Sequence, residues 1–274
     1  MKRRGRPRLS QHFLHERKTA SRIAASLRAP VGADVLEIGP GKGALTEHLL
    51  ASGWHVTAVE IDQILAAELG SRWAGESRLQ IIPADILEYR LGPATSGSWY
   101  VAGNLPYAIT SPIVFHLLDQ VPSAAIAELV LMVQREVAER LVAAPGSKQN
   151  GAMTVGVKLV ADAEALFHVR AGAFRPAPSV QSTVIRLTPH NRWELDSAGL
   201  RRVRSLVREL FARRRKQLQK SLRTGPPWKL TMDEVAAVAD ATDIDLSRRP
   251  ETLDIEEWLA LERSLAKIDG HAPA

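Results

Sequence analysis

The chain contains no cysteine among its 274 residues. This absence excludes a disulfide-stapled scaffold, thiolate metal sites and cysteine nucleophiles. It also fits a reducing compartment, so we expect a cytoplasmic protein. The eight histidines are scattered without the spacing of metal ligands, and we therefore expect no bound metal.

The sequence also lacks a segment that predicts membrane association. The 28 residues Leu91–Leu118 carry no Lys, Arg, Asp or Glu, but they include six glycines and prolines as well as several Ser, Thr and Asn residues. This composition excludes a membrane-spanning helix. The basic N-terminus is not followed by an apolar segment, so the sequence does not predict a secretory signal. We expect no membrane partner.

Positive charge is concentrated in two short segments. The chain has 36 Lys and Arg against 30 Asp and Glu, a net charge of +6. Residues 1–8 hold five basic residues, and Arg201–Arg223 holds ten with one acid, so these segments together carry +14 and the rest of the chain −8. Such basic clusters typically bind the phosphate backbone of nucleic acids. A solubilising tail and a solvated helix face are the alternative interpretation.

Apolar runs alternate with helical patterns from residue 30 to residue 190. Fully apolar strands interleaved with helices indicate a parallel sheet that is covered on both faces. Two later runs, Ala165–Val169 and Thr183–Leu187, predict an antiparallel edge of the same sheet. The five predicted parallel strands are Val35–Gly39, His55–Ile61, Leu79–Asp85, Trp99–Ala102 and Leu129–Val133.

The region after residue 195 lacks strand patterns. Apolar residues at positions 200, 203, 207, 210, 218 and 222 recur at helical spacing, and arginines fill the other face. Asp233–Ala239 and Ile255–Leu265 continue the helical pattern. We therefore predict two domains, an α/β domain at 1–192 with a basic N-terminal arm and a small all-helical domain at 193–274.

Three features at the ends of predicted strands indicate a nucleotide-type ligand. Residues 37–43 read EIGPGKG, and glycines such as Gly39 and Gly41 let the backbone approach a ligand closely. Glu60 ends the next strand, where a carboxylate can accept both hydroxyls of a ribose. This pair fits a dinucleotide or S-adenosylmethionine. Asp85 ends the third strand, a position suited to an adenine amino group. Each acid could instead cap a following helix.

The tetrapeptide NLPY at 104–107 indicates chemistry on an amine. An exocyclic adenine amine is a poor nucleophile because its lone pair is delocalised into the ring. The carboxamide oxygen of Asn104 and the carbonyl of Leu105 or Pro106 could both accept from such an amine and aim its lone pair at a sulfonium methyl group. Tyr107 offers a flat face for a base that has left its helix. An Asn-Pro turn with a partly buried tyrosine is the alternative.

The motifs occur in a specific order between Gln11 and Arg223. They are QHFL at 11–14, EIGPGKG at 37–43, Glu60, Asp85, NLPY at 104–107, MVQREVAERLVAAPGSK at 132–148, FRPAPSV at 174–180 and LFARRRKQLQKSL at 210–222. In this order they resemble the KsgA/RsmA family of ribosomal RNA adenine dimethyltransferases.

The resemblance implies a Rossmann-like methyltransferase domain that uses S-adenosylmethionine, followed by a small helical domain that contacts rRNA. It implies dimethylation of N6 of two adjacent adenosines in the 3′-terminal hairpin loop of 16S rRNA, with a role in small-subunit biogenesis. The expected partner is small-subunit rRNA within the immature small ribosomal subunit, and the expected state of the protein is a monomer.

The resemblance also assigns roles to individual residues, with Tyr107 and Phe174 expected to sandwich the target base. An apolar anchor for the FRPAP turn is the alternative interpretation of Phe174. The implied catalytic residues are Asn104, Leu105, Pro106, Tyr107 and Phe174. The implied cofactor-binding residues are His12, Leu14, Gly39, Gly41, Glu60, Ile61, Asp85, Ile86 and Asn104. The implied RNA-binding residues, expected on one helix, are Arg213, Arg214, Arg215, Lys216 and Lys220.

The chain departs from the family pattern at Ser10, where glycine is usual, and at Asn150, where an aromatic residue is common. Three other interpretations compete with a small-subunit enzyme. One is an antibiotic-resistance methyltransferase of large-subunit rRNA, although that family typically has Asn-Ile-Pro-Tyr at this point and lacks the APGSK sequence. Another is a mainly non-catalytic assembly factor. The third is a dinucleotide oxidoreductase, which has no need for NLPY or for basic segments.

Overall fold

The computed structural model describes residues 12–268 and divides them into two compact units. The first unit contains residues 12–138 and 162–189, and the second contains residues 139–161 and 190–268. The basic segment 1–8 and the departure at Ser10 lie outside the described residues. Within the described part of the chain, no helix is both long and apolar enough to cross a membrane.

Regular structure accounts for most of both units. The strands within residues 12–268 are β1 (Phe13–Leu14), β2 (Asp34–Ile38), β3 (His55–Glu60), β4 (Leu79–Pro83), β5 (Trp99–Asn104), β6 (Ile126–Gln134), β7 (Ala161–Val169), β8 (Phe174–Arg175) and β9 (Ser182–Pro189). The α-helices in the same range are α1 (Arg17–Ser26), α2 (Thr46–Ala51), α3 (Gln63–Arg72), α4 (Thr110–Leu118), α5 (Val121–Ala124), α6 (Arg135–Leu141), α7 (Ala152–Lys158), α8 (Ser197–Phe211), α9 (Leu218–Thr224), α10 (Met232–Thr242) and α11 (Ile255–Leu265).

The first unit is built on a seven-stranded sheet in the order β4-β3-β2-β5-β6-β9-β7. The first five strands in this order are parallel, and β9 runs antiparallel to β6. The strand order reverses between β2 and β5, and ligands of open α/β sheets bind beside the carboxyl ends of the strands at such a point. The sheet confirms the predicted Rossmann-like α/β class.

The central strands β2 and β6 form where the sequence predicts them because their apolar runs are buried on both faces. All five residues of β2 are buried, and so are the apolar residues of β6 from Leu129 to Val133. The predicted antiparallel pairing is confirmed for Thr183–Leu187, which lies in β9. β5 extends two residues beyond its predicted end and includes Asn104, which places this side chain at the carboxyl edge of the sheet.

The second unit packs its helices around a separate apolar core. Val203, Leu210 and the fully buried Trp258 belong to this core. Val155 and Leu159 contribute to it as well, which explains why residues 139–161 belong to the second unit. The observed division therefore differs from the predicted boundary between 1–192 and 193–274. The sequence does not reveal the difference, because the helix α7 lies between two strands of the first unit along the chain.

Asn150 has a structural role in the second unit. Its side chain is buried, and its Nδ2 donates to the carbonyl of Glu251 at 2.8 Å. The backbone N–H of Gly146 donates to the same carbonyl at 2.6 Å. Asn150 therefore holds the loop 146–151 in place through hydrogen bonds.

Candidate active site

The glycine-rich loop begins where β2 ends. Gly41 has a φ of +56° and donates its N–H to Glu60 Oε2 at 3.0 Å. Gly43 has a φ of +77°, and a Cβ added there would lie 2.3 Å from the ring of Trp73. Glycine adopts positive φ at little cost, and the contact with Trp73 leaves no room for a side chain. These two glycines therefore allow the tight turn that carries backbone N–H groups past the sheet edge.

Glu60 ends β3 with its carboxylate held by backbone donors. The side chain is buried, and its Oε1 accepts from the N–H of Asp62 at 2.9 Å while Oε2 accepts from Gly41. The following helix α3 is capped by Asp62, whose side chain accepts from the N–H groups of Ile64 and Leu65. Glu60 is therefore not the helix cap, and each of its oxygens retains a lone pair for a ligand hydroxyl.

Asp85 follows β4 and has two roles. Its Oδ1 accepts from the N–H of Leu87 at 3.0 Å, so it fastens the turn that it begins. It also lines the cleft described below, together with Ile61 and Ile86. Asp85 is therefore a turn cap and a candidate ligand contact at the same time.

Glu37 is a cleft residue that the sequence reasoning did not single out. It is almost fully buried at 1% exposure, and its Oε2 has no hydrogen-bond partner among residues 12–268. Burial raises the pKa of Glu37 to about 8; Thr46 opposes this rise and the charge of Glu60 adds to it. A buried carboxyl oxygen without a partner is costly unless a ligand satisfies it. The sequence feature that could have indicated Glu37 is the glutamate with which the EIGPGKG motif begins.

The NLPY segment turns away from the sheet at the end of β5. Asn104 donates its Nδ2–H to the carbonyl of His12 at 3.1 Å, so the carboxamide oxygen is the atom left to accept from a ligand. The carbonyl of Pro106 already accepts from the N–H of Ile109 and from the hydroxyl of Thr110, both at 3.2 Å. Of the two carbonyls considered as a second acceptor, that of Leu105 is therefore favoured.

Residues 12–14 lie against the glycine-rich loop. Within residues 12–14, β1 pairs antiparallel with β8, so that Phe13 faces Arg175 and Leu14 faces Phe174. The ring of Phe13 lies against Gly41, where an added Cβ would be 3.0 Å away. Phe13 lines the cleft, although only its neighbours His12 and Leu14 were predicted to do so.

Tyr107 is held by two side chains. Its hydroxyl forms a hydrogen bond of 2.8 Å with Ser182 Oγ. The imidazole of His12 stacks on its ring, with 5.8 Å between centroids and 29° between planes. His12 is fixed in turn, because its Nδ1 lies 2.8 Å from the carbonyl of Pro176. Burial raises the pKa of Tyr107 and the hydrogen bond to Ser182 opposes the rise, so the phenol stays protonated near neutral pH.

These elements surround one cleft with an empty volume of about 1050 Å³, which includes the part open to solvent. All nine predicted cofactor residues line it, as do Leu105, Pro106 and Tyr107. Phe174 does not line the cleft. It is buried at 2% exposure in the core of the first unit, next to Leu14 in the β1–β8 pair. Its stacking on a target base stays a prediction.

The predicted RNA-binding cations belong to the second unit, and the expectation that they share one helix is wrong for four of them. α8 ends at Phe211, and residues 213–216 form the turn that precedes α9. The helix breaks because the N–H groups of Leu218 and Gln219 donate to Arg248 and Leu246 instead of to the preceding turn. Lys220 does lie on a helix, α9.

The four cations of this turn differ in exposure. Arg214, Arg215 and Lys216 are exposed. Arg213 is half-buried, with its guanidinium against Gly225 and within 3.5 Å of the carbonyl of Pro226. Lys220 is exposed on α9. Residues 214–216 and Lys220 are therefore available to a phosphate backbone, whereas Arg213 is less accessible.

Comparisons with known proteins show what the whole chain is similar to. The chain is 40% identical over 271 residues to Ribosomal RNA small subunit methyltransferase A of Geobacter sulfurreducens, covering 97% of each chain. Its fold matches a crystal structure of a dimethyladenosine transferase from Plasmodium falciparum with a TM-score of 0.79 at 25% identity, over 91% of this chain and 96% of that one. It also matches the 23S rRNA methyltransferase ErmE with a TM-score of 0.68 at 29% identity, over 93% of this chain and all of that one.

The family model for Ribosomal RNA adenine dimethylase matches residues 2–261, nearly the whole chain. This match covers the glycine-rich loop, the acids at the strand ends and the NLPY segment that together line the cleft. The chain therefore belongs to the ribosomal RNA adenine dimethylase family.

Proposed function

We propose that this chain dimethylates N6 of two adjacent adenosines in the 3′-terminal hairpin loop of 16S rRNA in the small ribosomal subunit. The relative from Geobacter sulfurreducens, which matches over nearly its full length, is named for the small subunit. The observation that carries the chemistry is Asn104, whose carboxamide lies at the end of β5 within the cleft.

The methyl donor is S-adenosylmethionine, which supplies a methyl group on a sulfonium centre already activated for transfer. The residues of the cleft fit this donor. The unpartnered Oε2 of Glu37 is suited to an ammonium group, and the oriented carboxylate of Glu60 is suited to ribose hydroxyls. Asp85 can accept from an adenine amine, and the apolar side chains of Ile61 and Ile86 also line the cleft.

The chain's contribution to the reaction is orientation. Asn104 Oδ1 and the carbonyl of Leu105 both accept from the target amine, which aims the nitrogen lone pair. His12 holds the carboxamide of Asn104 in the required orientation, because its carbonyl occupies Nδ2. A general base is not needed, since the leaving group is already activated and the amine proton can depart to solvent after transfer.

Tyr107 serves as a face for the target base and not as a proton acceptor. Its hydroxyl is engaged with Ser182, and its raised pKa keeps it protonated. His12 stacks on the ring, and the target adenine would use the ring surface that His12 leaves free. Stacking of this kind offsets the few kcal/mol needed to draw a base from its stack.

The exposed cations Arg214, Arg215, Lys216 and Lys220 would contact the rRNA backbone. Replacing 214–216 with Gln should weaken binding to small subunits and lower the slope of log affinity against log salt by about 2 to 3. Affinity for S-adenosylmethionine should stay unchanged. The matched control replaces three other exposed cations of the second unit, Lys229, Arg263 and Lys267, with Gln. An equal loss in both triple variants would contradict a specific rRNA-binding surface.

The proposed reaction is tested by mapping N6,N6-dimethyladenosine on both rRNAs from cells with and without this protein. We expect the modification to disappear from the 3′-terminal hairpin of 16S rRNA when the protein is removed. Unchanged 16S rRNA would overturn the proposal. Loss from large-subunit rRNA instead would assign the activity of ErmE, to which this chain is also similar.

The other sequence-based expectations stay predictions. The protein is proposed to act on immature small subunits, as a monomer, and in the cytoplasm, where small subunits would be its substrate. An assembly role separate from catalysis predicts that the Asn104→Ala variant restores subunit assembly in cells that lack the protein. Failure of this variant to restore assembly would mean that the role depends on methyl transfer.

A further inference from the structure

The hydroxyl of Tyr107 has a specific partner far away in the sequence. Ser182 lies 75 residues further along the chain, and its Oγ is 2.8 Å from the phenol oxygen. Ser182 is fully buried at 0% exposure, whereas Tyr107 is half-buried beside the cleft. The hydrogen bond therefore connects a residue at the site to one inside the protein.

Ser182 is well suited to fix another side chain. It begins β9 and pairs with Gln134 at the end of β6. The same strand β6 anchors the NLPY segment, because the N–H of Leu105 donates to the carbonyl of Met132 at 3.0 Å. Ser182 and the backbone of Leu105, two residues before Tyr107, are thus both positioned by β6.

The remaining contact of the ring does not fix its rotation alone. His12 stacks on Tyr107 over a distance of 5.8 Å between centroids, which restrains one face but has no directional bond to the ring. The bond to Ser182, by contrast, is a directional contact at the hydroxyl of the ring. Without it, the ring can tilt away from the position in which it supports a base.

We propose that Ser182 is a positioning residue for methyl transfer, which acts by holding the ring of Tyr107 in the orientation that receives the target adenine. This role rests on the proposed function of Tyr107 as the face for that base. Ser182 itself contacts neither the cofactor nor the amine. Its effect therefore passes entirely through the bond to Tyr107.

The test is a double-mutant cycle with Ser182→Ala, Tyr107→Phe and the double variant, measured as the single-turnover rate of methyl transfer to under-methylated small subunits. We expect each single variant to lower the rate roughly tenfold, since the net effect of one such bond corresponds to about a factor of ten. The double variant should be no slower than either single variant, because both remove the same bond. Affinity for S-adenosylmethionine should not change.

Thr183→Val is the matched control. Thr183 is the next residue of β9, is equally buried, and bonds through its hydroxyl to His168 Nδ1 at 2.9 Å. Successive side chains of a strand point to opposite faces, so this bond does not reach Tyr107. Thr183→Val should lower the free energy of unfolding about as much as Ser182→Ala does and leave the methyl-transfer rate unchanged.

The outcomes separate this proposal from the proposed function. If Tyr107→Ala abolishes transfer while Ser182→Ala and Tyr107→Phe retain the full rate, the positioning role of Ser182 is overturned and the base-supporting role of Tyr107 stands. If Tyr107→Ala also retains the full rate, the role of Tyr107 itself fails. Additive losses in the double variant, or an equal loss of rate in Thr183→Val, would likewise overturn the positioning role.

Discussion

Two buried acids on the same strand show how differently the two ends of the sheet are built. Asp34 and Glu37 lie three residues apart on β2, at its beginning and near its end. Asp34 accepts from the hydroxyl of Thr95 and from both the N–H and the hydroxyl of Ser96, at 2.7–3.0 Å. Glu37 has an oxygen with no partner in the described part of the chain.

The pKa values of the two acids move in opposite directions. Burial by itself would raise the pKa of Asp34, but the hydrogen bonds from Ser96 and Thr95 outweigh it and hold the pKa below its ordinary value of 3.8. Burial dominates at Glu37 and raises its pKa to about 8. Asp34 at the amino end of β2 is therefore fully satisfied, whereas Glu37 near the carboxyl end keeps an unsatisfied oxygen in the candidate cleft.

The largest expected loss of stability comes from removing the satisfied acid. Asp34→Ala leaves the donors of Thr95 and Ser96 without their acceptor, and should lower the free energy of unfolding by about 3 kcal/mol. Asp34→Asn keeps one acceptor oxygen and should lose less. Urea unfolding measures both changes, and calorimetry should show unchanged affinity for S-adenosylmethionine. If Asp34→Ala were as stable as the wild type, the claim that hydrogen bonds to Asp34 stabilise the amino end of the sheet would be contradicted.

Glu37→Gln should change stability by an amount that depends on pH. The pKa of Glu37 is raised on folding, so its contribution to stability is fully present below the unfolded value of 4.5 and is lost as pH rises through 8. Without ligand, the wild type should lose up to about 1.4 kcal/mol per pH unit between these values relative to the Gln variant. Unfolding curves at pH 5.5, 6.5 and 7.5 measure this difference, and parallel pH dependence in both proteins would contradict it.

The smallest expected effect comes from replacing either of two glycines, one near each end of β2, with alanine. Gly32 and Gly41 both have positive φ, so replacement of either by Ala should lower the free energy of unfolding by about 1 kcal/mol. A Cβ at Gly32 meets no atom within 4 Å, whereas one at Gly41 lies 3.0 Å from Phe13. Only Gly41→Ala should therefore weaken binding of S-adenosylmethionine. Equal affinities in the two variants would show that Phe13 and the loop do not shape the cofactor site.

The sequence predicted the carboxyl end of the sheet well, because each candidate site residue there lies at the end of an apolar strand or just after it. Gly39, Glu60 and Asn104 are brought to one cleft by the parallel pairing of β2, β3 and β5, and this pairing is implied by the apolar runs. Glu37 was missed because an acid inside an apolar strand carries no separate pattern.

The contacts that the sequence did not reveal join distant segments. The pairing of Leu14 with Phe174 in a two-residue sheet buries Phe174; the FRPAP turn allowed an apolar anchor at this position, but the sequence does not show that Leu14 is its partner. The bond between Tyr107 and Ser182 is equally invisible in the sequence. The break at residues 212–217 depends on backbone acceptors of Leu246 and Arg248, which local helical spacing cannot show.

The most direct test of the account measures transfer of tritiated methyl groups from S-adenosylmethionine to under-methylated small subunits by the wild type, Asn104→Ala and Asp34→Ala at equal concentrations of folded protein. Asn104→Ala should fold as stably as the wild type and transfer at least about a hundredfold more slowly, since the group that orients the amine is lost. Asp34→Ala should be less stable and transfer at the wild-type rate. Undiminished transfer by Asn104→Ala would contradict the assignment of the chemistry to the carboxyl end of the sheet.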